Sequence, residues 1–122
     1  MNDRKKSILT VLTRSPYGGA TAREALDAIL TAAAFEVPVS LLFMDDAVYQ
    51  LLPDQHPEAI AAKDLSSTLP VLPMYDVENI FVDRLSLTQR GMDPTQLILG
   101  VTAVEGDALR ALFQDHDRIL SF

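Results

Sequence analysis

The segment Val39-Ser40-Leu41-Leu42-Phe43-Met44 decides the fold, because five of its six residues are apolar. A strand that is apolar on both faces is typical of the interior of a parallel sheet that helices cover on both sides. Pro38 stands directly before the segment and ends the helical pattern that precedes it. The segment therefore predicts a buried central strand in an α/β domain.

On either side of this strand, apolar segments alternate with helical patterns. We predict four further strands, at residues 7–13, 79–83, 97–101 and 117–122. Thr-x-x-Glu capping boxes at Thr21 and Thr102 predict the starts of two helices, and apolar residues at helical spacing predict three shorter ones, at 46–52, 58–69 and 85–90. Strands that alternate with helices indicate βαβ units. We expect one α/β domain over residues 1–122, with a mostly parallel five-stranded sheet and helices on both faces in three layers.

Composition and charge exclude several classes of protein. The chain has 122 residues, of which 48% are hydrophobic, and this fits a single globular domain. Ten Lys and Arg stand against 17 Asp and Glu, a net charge of −7, which makes independent binding to nucleic acid unfavourable. No apolar stretch approaches the roughly 18–20 residues of a membrane helix, and no secretory signal is visible. We expect a cytoplasmic protein with no membrane contact.

The chain contains no cysteine. This excludes disulfides, thiolate metal sites, iron–sulfur clusters and any sulfur nucleophile of its own. The two histidines, His56 and His116, have no second metal ligand at a suitable local spacing. We therefore predict no metal site, no cofactor and no catalytic set of residues.

Three tyrosines near the ends of elements, Tyr17, Tyr49 and Tyr75, are candidate interface residues. Aromatic residues at element ends are common in protein–protein interfaces, where they bury a large area at low entropic cost, but they also occur as half-buried lids of a core. The loop at residues 17–21, just before a predicted helix, is a candidate site for a small anion, although a plain Pro/Gly turn explains the same pattern.

Charged residues flank the third predicted strand. Asp76 precedes it, and Asp83 and Arg84 stand at its carboxyl end. A carboxylate beside an arginine at the end of a buried strand is compatible with a polar site, an interface ion pair or a solvated strand end. An enzyme that uses carboxylates such as Asp45, Asp46 or Asp83 is a less favoured alternative.

An ordered set of segments resembles one known family along nearly the whole chain. The set comprises Tyr17-Gly18-Gly19, residues 23–30, Asp46-Ala47-Val48-Tyr49-Gln50-Leu51-Leu52-Pro53, residues 75–78, residues 90–94 and residues 115–122. In this order they resemble the TusC/DsrF branch of the DsrE/DsrF/TusD family.

The resemblance implies a flavodoxin-like fold and a subunit of a cytoplasmic sulfur relay. It implies a dimer of heterotrimers with TusB-like and TusD-like partners, which takes persulfide sulfur from a TusA-like donor. The sulfur then passes through a TusE-like carrier toward 2-thiouridine at the tRNA wobble position, so that contact with tRNA is indirect. In the related DsrF branch, the homologous complex serves dissimilatory sulfur oxidation instead.

The resemblance also gives Asp83 a specific meaning. Sulfur-carrying members of the family place a cysteine at the end of the third strand, before an Arg-Gly pair, and Asp83 matches that position when counted back from Arg90-Gly91. A carboxylate cannot form or break S–S bonds. We therefore expect a non-catalytic subunit whose TusD-like partner carries the sulfur. The alternative to a relay subunit is a binding protein: a stand-alone homo-oligomer that binds a small anion.

Overall fold

The sheet has five strands, all parallel. The computed structural model describes residues 7–14, 21–52, 69–77, 79–97 and 100–122. The strands are β1 (Ile8–Leu12), β2 (Val39–Phe43), β3 (Asn79–Asp83), β4 (Val101–Val104) and β5 (Arg118–Ser121). They lie in the order β4-β3-β2-β1-β5, and each neighbouring pair is parallel. The predicted five-stranded α/β fold is confirmed.

Three α-helices connect the strands within the described residues. They are α1 (Thr21–Ala34), α2 (Arg84–Gln89) and α3 (Gly106–Asp115), and 3₁₀ helices span Asp45–Leu51, Leu69–Tyr75 and Pro94–Gln96. The helix predicted at 58–69 falls almost wholly outside the described residues. None of the described helices has the length and apolar character needed to cross a membrane.

Side chains that alternate along the strands build a separate core on each face of the sheet. Leu41 and Phe43 of β2 pack in the larger core with Ile29 of α1, and all three are at most 1% exposed. Leu42 points to the opposite face and packs in a smaller core, against which Phe113 of α3 is partly buried. Each such buried side chain contributes about 1.5–3 kcal/mol to folding. Helices therefore cover both faces, as predicted.

Two details of the predicted helix starts are wrong. Thr102 lies within β4, so the helix after this strand has Glu105 as its N-cap, with no capping bond from that side chain. The helix predicted at 46–52 is a 3₁₀ helix that already begins at Asp45, whose backbone is left-handed, with φ of 51°. β4 runs over Val101–Val104 and overlaps the strand predicted at 97–101 only at Val101, so it occupies the residues predicted to start the helix. After β2, which ends at Phe43, the 3₁₀ helix instead begins one residue earlier than predicted.

The parallel arrangement gives the sheet two distinct ends. Residues directly after the strands lie at the carboxyl end of the sheet, among them Asp45 after β2 and Arg84 after β3. Residues directly before the strands lie at the amino end, among them Pro38 before β2 and residues 75–77 before β3. Ligands of open α/β folds usually bind at the carboxyl end.

Candidate functional site

Asp83 lies at the carboxyl end of the sheet as the N-cap of α2. The residue is 5% exposed, and its Oδ2 accepts hydrogen bonds from the backbone N–H and the hydroxyl of Ser86, at 3.2 and 2.6 Å. An N-cap carboxylate satisfies amides at the start of a helix that have no partner within the helix. Asp83 is thus held inside the fold by its own helix.

Ser86 extends this network to the end of β2. Its hydroxyl oxygen accepts a hydrogen bond from the backbone N–H of Asp45 at 2.9 Å, and Ser86 is only 1% exposed. The link holds Asp45, one of three non-glycine residues with positive φ among those described, beside the first turn of α2. The chain Asp45–Ser86–Asp83, which we call the cap network, ties β2, β3 and α2 together.

Two arginines surround the cap network at the surface. Arg84 lies 3.6 Å from Glu105 across side chains that are 45% and 70% exposed, a pair that contributes little in water. Arg90 donates from Nε and Nη2 to Oδ1 of Asp46, at 3.2 and 3.0 Å, and from Nη1 to the carbonyl of Ser86 at 3.1 Å. Arg90 therefore fastens the end of α2 to the first 3₁₀ helix.

Tyr49 and Gln50 also lie at the carboxyl end, in the 3₁₀ helix Asp45–Leu51. Tyr49 is 37% exposed. Gln50 is 1% exposed, its Nε2 donates to the carbonyl of Arg14 at 3.1 Å, and its Oε1 is the one buried side-chain polar atom without a partner among the described residues. Gln50 thus joins the ends of β1 and β2.

Tyr75 and Asp76 lie at the amino end, directly before β3, and not with the other candidates. Tyr75 is 53% exposed, and Asp76 has a left-handed backbone with φ of 64°. Both residues line a groove of about 300 Å³ together with Ala33, Glu36, Val37 and Pro38. The predicted site residues therefore divide between two ends of the sheet.

The candidate anion loop at residues 17–21, including Tyr17, lies almost wholly outside the described residues. A cavity of about 460 Å³ after the end of β1 is lined by Thr13, Arg14, Glu24, Ser121 and Phe122. No group of three or more His, Cys, Asp or Glu side chains within the described ranges could hold a metal ion.

His116 has a structural position. Its Nδ1 lies 2.7 Å from the carbonyl oxygen of Leu112 and its Nε2 lies 2.9 Å from the hydroxyl of Ser40. The ring therefore joins α3 to β2. His56 lies outside the described residues.

Sequence reasoning identified Asp83 but missed its hydrogen-bond partners. Ser86 follows Asp83 by three residues, a spacing that a search for Asp N-caps would have found. Asp46 and Arg90, which are 44 residues apart, have no local signal that pairs them. No local pattern predicts the contact of Gln50 with Arg14 either, although Gln50 lies in the family motif.

Comparison with known proteins gives a consistent result. Residues 6–122 match the model of the DsrE/DsrF-like family. The chain is 41% identical to the protein TusC homolog of Pseudomonas aeruginosa over 116 residues, 95% of this chain and 98% of that protein. It is also 41% identical to protein TusC of Escherichia coli over 118 residues, 96% and 99% of the two chains.

Solved structures agree on the fold. The ychN protein of E. coli superposes with a TM-score of 0.82 at 24% identity, covering 96% of this chain and 99% of that one. A protein of unknown function from Methanobacterium thermoautotrophicum superposes with a TM-score of 0.62 at 15% identity over 95% and 98% of the two chains. These structures support the fold, and the family match over residues 6–122 with the 41% identity to TusC proteins shows that the chain belongs to the DsrE/DsrF-like family.

Proposed function

We propose that this chain is a TusC-like, non-catalytic subunit of a sulfur relay complex. Its similarity to proteins named TusC over nearly the full length of both chains is the observation that carries the proposal. In this role it assembles in the cytoplasm with TusB-like and TusD-like subunits as a dimer of heterotrimers. The complex receives persulfide sulfur from a TusA-like donor and passes it to a TusE-like carrier, toward 2-thiouridine in tRNA.

The chemistry of Asp83 supports a non-catalytic role. Persulfide transfer requires a thiolate that attacks one S–S bond and forms another, and the chain has no cysteine at any position. The carboxylate of Asp83 instead accepts two hydrogen bonds from Ser86 in a buried position. The residue that matches the sulfur-carrying position therefore stabilises the fold, and the sulfur is carried by the TusD-like partner.

The acidic charge supports an indirect relation to tRNA. A net charge of −7 repels the phosphate backbone, so a direct contact would need a strongly basic patch. The complex then meets tRNA only through its downstream partners.

A deletion strain of the organism that encodes the chain tests the proposal. We expect the loss of 2-thiouridine from wobble positions, measured by mass spectrometry of digested tRNA, and its return when the wild-type chain is supplied. Unchanged thiolation together with lost sulfur oxidation would favour the DsrF-like alternative. Unchanged thiolation and sulfur oxidation, with the chain recovered only as a homo-oligomer, would contradict membership of a relay.

A further inference from the structure

The groove at the amino end of the sheet has an apolar floor and an acidic rim. Ala33, Val37, Pro38 and Tyr75 supply its apolar surface, and Glu36 and Asp76 are the charged residues that line it. Met74, next to Tyr75, is 83% exposed. Tyr and Met are enriched in protein–protein interfaces, so this surface has the composition of one.

The two acidic residues occupy the same position in two helix ends. After α1, Val37 N–H donates to Ala32 O at 3.0 Å and Glu36 N–H to Ala33 O at 2.9 Å. These bonds form a Schellman motif, in which Glu36 takes the left-handed position with φ of 60°.

The 3₁₀ helix Leu69–Tyr75 ends in the same way. Val77 N–H donates to Leu72 O at 3.2 Å and Asp76 N–H to Pro73 O at 3.0 Å, with Asp76 in the left-handed position. At the end of α2, the equivalent position holds Gly91, the residue that such motifs usually contain.

Acidic residues are unfavourable at these two positions for two reasons. The left-handed backbone is costly for Glu36 and less so for Asp76, since aspartate adopts it occasionally, and in both residues a negative charge lies next to the negative end of the helix dipole. No basic residue occupies the last turn of α1 or of the 3₁₀ helix Leu69–Tyr75. Residues that violate local preferences in this way are expected at functional positions.

These features together make the groove complementary to a cation. Two helix carboxyl ends and the carboxylate of Asp76 meet around it, and no basic side chain among the described residues lines it. The carboxylate of Asp76 has no hydrogen bond or ion pair with any described residue. A half-exposed tyrosine ring beside a carboxylate also suits a guanidinium, which stacks on aromatic faces and pairs with carboxylates.

We propose that this groove binds an arginine side chain presented by a partner protein, with its aliphatic stem on Val37 and Pro38 and its guanidinium between Tyr75 and Asp76. Charge complementarity favours this occupant over a second copy of the chain, which carries the same net charge of −7. The inference rests on the proposed function only for which complex the partner belongs to. The chemistry of the groove does not depend on it.

Binding of N-acetyl-L-arginine methylamide, followed by shifts of backbone amide signals in NMR spectra, tests the chemistry. We expect saturable shifts at residues 33, 36, 37, 75 and 76. Asp76→Asn keeps a residue that tolerates the left-handed backbone and is expected to weaken binding about two- to fivefold. Tyr75→Ala is expected to weaken it by a similar factor of about two to five.

A matched control and a neutral probe make this test decisive. Asp27→Asn removes the same charge from an exposed position of α1 outside the groove, and we expect unchanged binding. Equal weakening by Asp27→Asn, equal shifts with the neutral citrulline analogue, or no shifts at the groove would overturn the inference. Self-association of the chain alone that Tyr75→Ala abolishes would assign the groove to a second copy and overturn it as well.

Co-expression with TusB-like and TusD-like subunits tests the role in the complex. We expect Tyr75→Ala to lower recovery of the assembled complex about tenfold or more, as for an interface hot spot, while Asp27→Asn leaves it unchanged. If the wild-type chain does not assemble, the proposed function fails and the NMR result still decides the groove. If the wild-type chain assembles and Tyr75→Ala assembles equally well, only the inference about the groove fails.

Discussion

Aspartates at the two ends of the sheet have opposite environments. At the carboxyl end, Asp83 is 5% exposed and accepts two hydrogen bonds from Ser86. At the amino end, Asp76 is exposed and its carboxylate has no partner among the described residues. Where a carboxylate is buried and satisfied, it stabilises the fold. Where it is exposed beside a groove, its charge remains available to another molecule.

Removing the cap network is expected to give the largest effect. Asp83→Ala deletes the N-cap of α2 and leaves the buried Ser86 hydroxyl without its acceptor, which together lower the free energy of unfolding by about 2–4 kcal/mol. Urea unfolding followed by circular dichroism measures the change. In the control, Asp76→Asn, we expect a change of at most about 0.5 kcal/mol. Equal losses in the two variants would abolish the distinction between the two ends.

A cysteine introduced at Asp83 tests how accessible this position is. In Asp83→Cys the thiol takes the place of a residue that is 5% exposed, whereas in Leu85→Cys it replaces one that is 58% exposed. Because reaction with a thiol reagent requires access to the thiolate, we expect the thiol at position 85 to react roughly tenfold faster under native conditions. Faster labelling at position 83 would mean that this end of the sheet is open in solution.

Substitutions at the helix ends test whether the residues that line the groove lower the free energy of unfolding. Asp76→Gly relieves the left-handed backbone and removes a charge from a helix carboxyl end, so we expect a gain of about 0.5 kcal/mol. Gly91→Ala places a side chain at φ of 66° with no atom within 4 Å of its Cβ, so backbone strain alone is expected to destabilise the fold by about 1 kcal/mol. Thermal unfolding compares the two, and a loss of stability in Asp76→Gly would show that Asp76 supports the fold.

The smallest effect is expected at Asp93, a surface N-cap that belongs to neither end. Hydrogen bonds from the backbone N–H and the hydroxyl of Thr95 hold the pKa of Asp93 below its usual range, and Arg84 lowers the pKa further. Because the pKa is lower in the folded state, the stabilisation is present above the unfolded pKa and is lost as pH falls through the folded value. The difference in Tm between wild type and Asp93→Ala should therefore be largest near neutral pH and shrink below about pH 4. A difference independent of pH would contradict the assignment.

The sequence predicted the elements that depend on strong local patterns. The apolar segment Val39–Met44 contains the fully buried β2, which ends one residue earlier at Phe43, and Asn79–Asp83 is β3 with the bounds expected. The helix start at Thr102 was wrong because a Thr-x-x-Glu spacing also occurs by chance at the end of a strand, and only sheet pairing shows that β4 continues to Val104.

The candidate site was less predictable, because its contacts are distant in sequence. Asp83 could be singled out at a strand end, but its link through Ser86 to Asp45 depends on how β2 and β3 pair. The groove joins the end of α1 to the segment before β3, which no local pattern connects. Tyr75 and Asp76 were candidates because they lie just before the third predicted strand, but only the fold shows that they line a groove with the end of α1.

The native mass of the chain co-expressed with TusB-like and TusD-like subunits tests the central claim most directly. Native mass spectrometry of the purified assembly should show two copies of this chain with two of each partner. Treatment with a persulfide donor should then add sulfur mass to the TusD-like subunit and none to this chain. A chain that stays alone or forms only homo-oligomers, or that itself gains sulfur, would contradict the account.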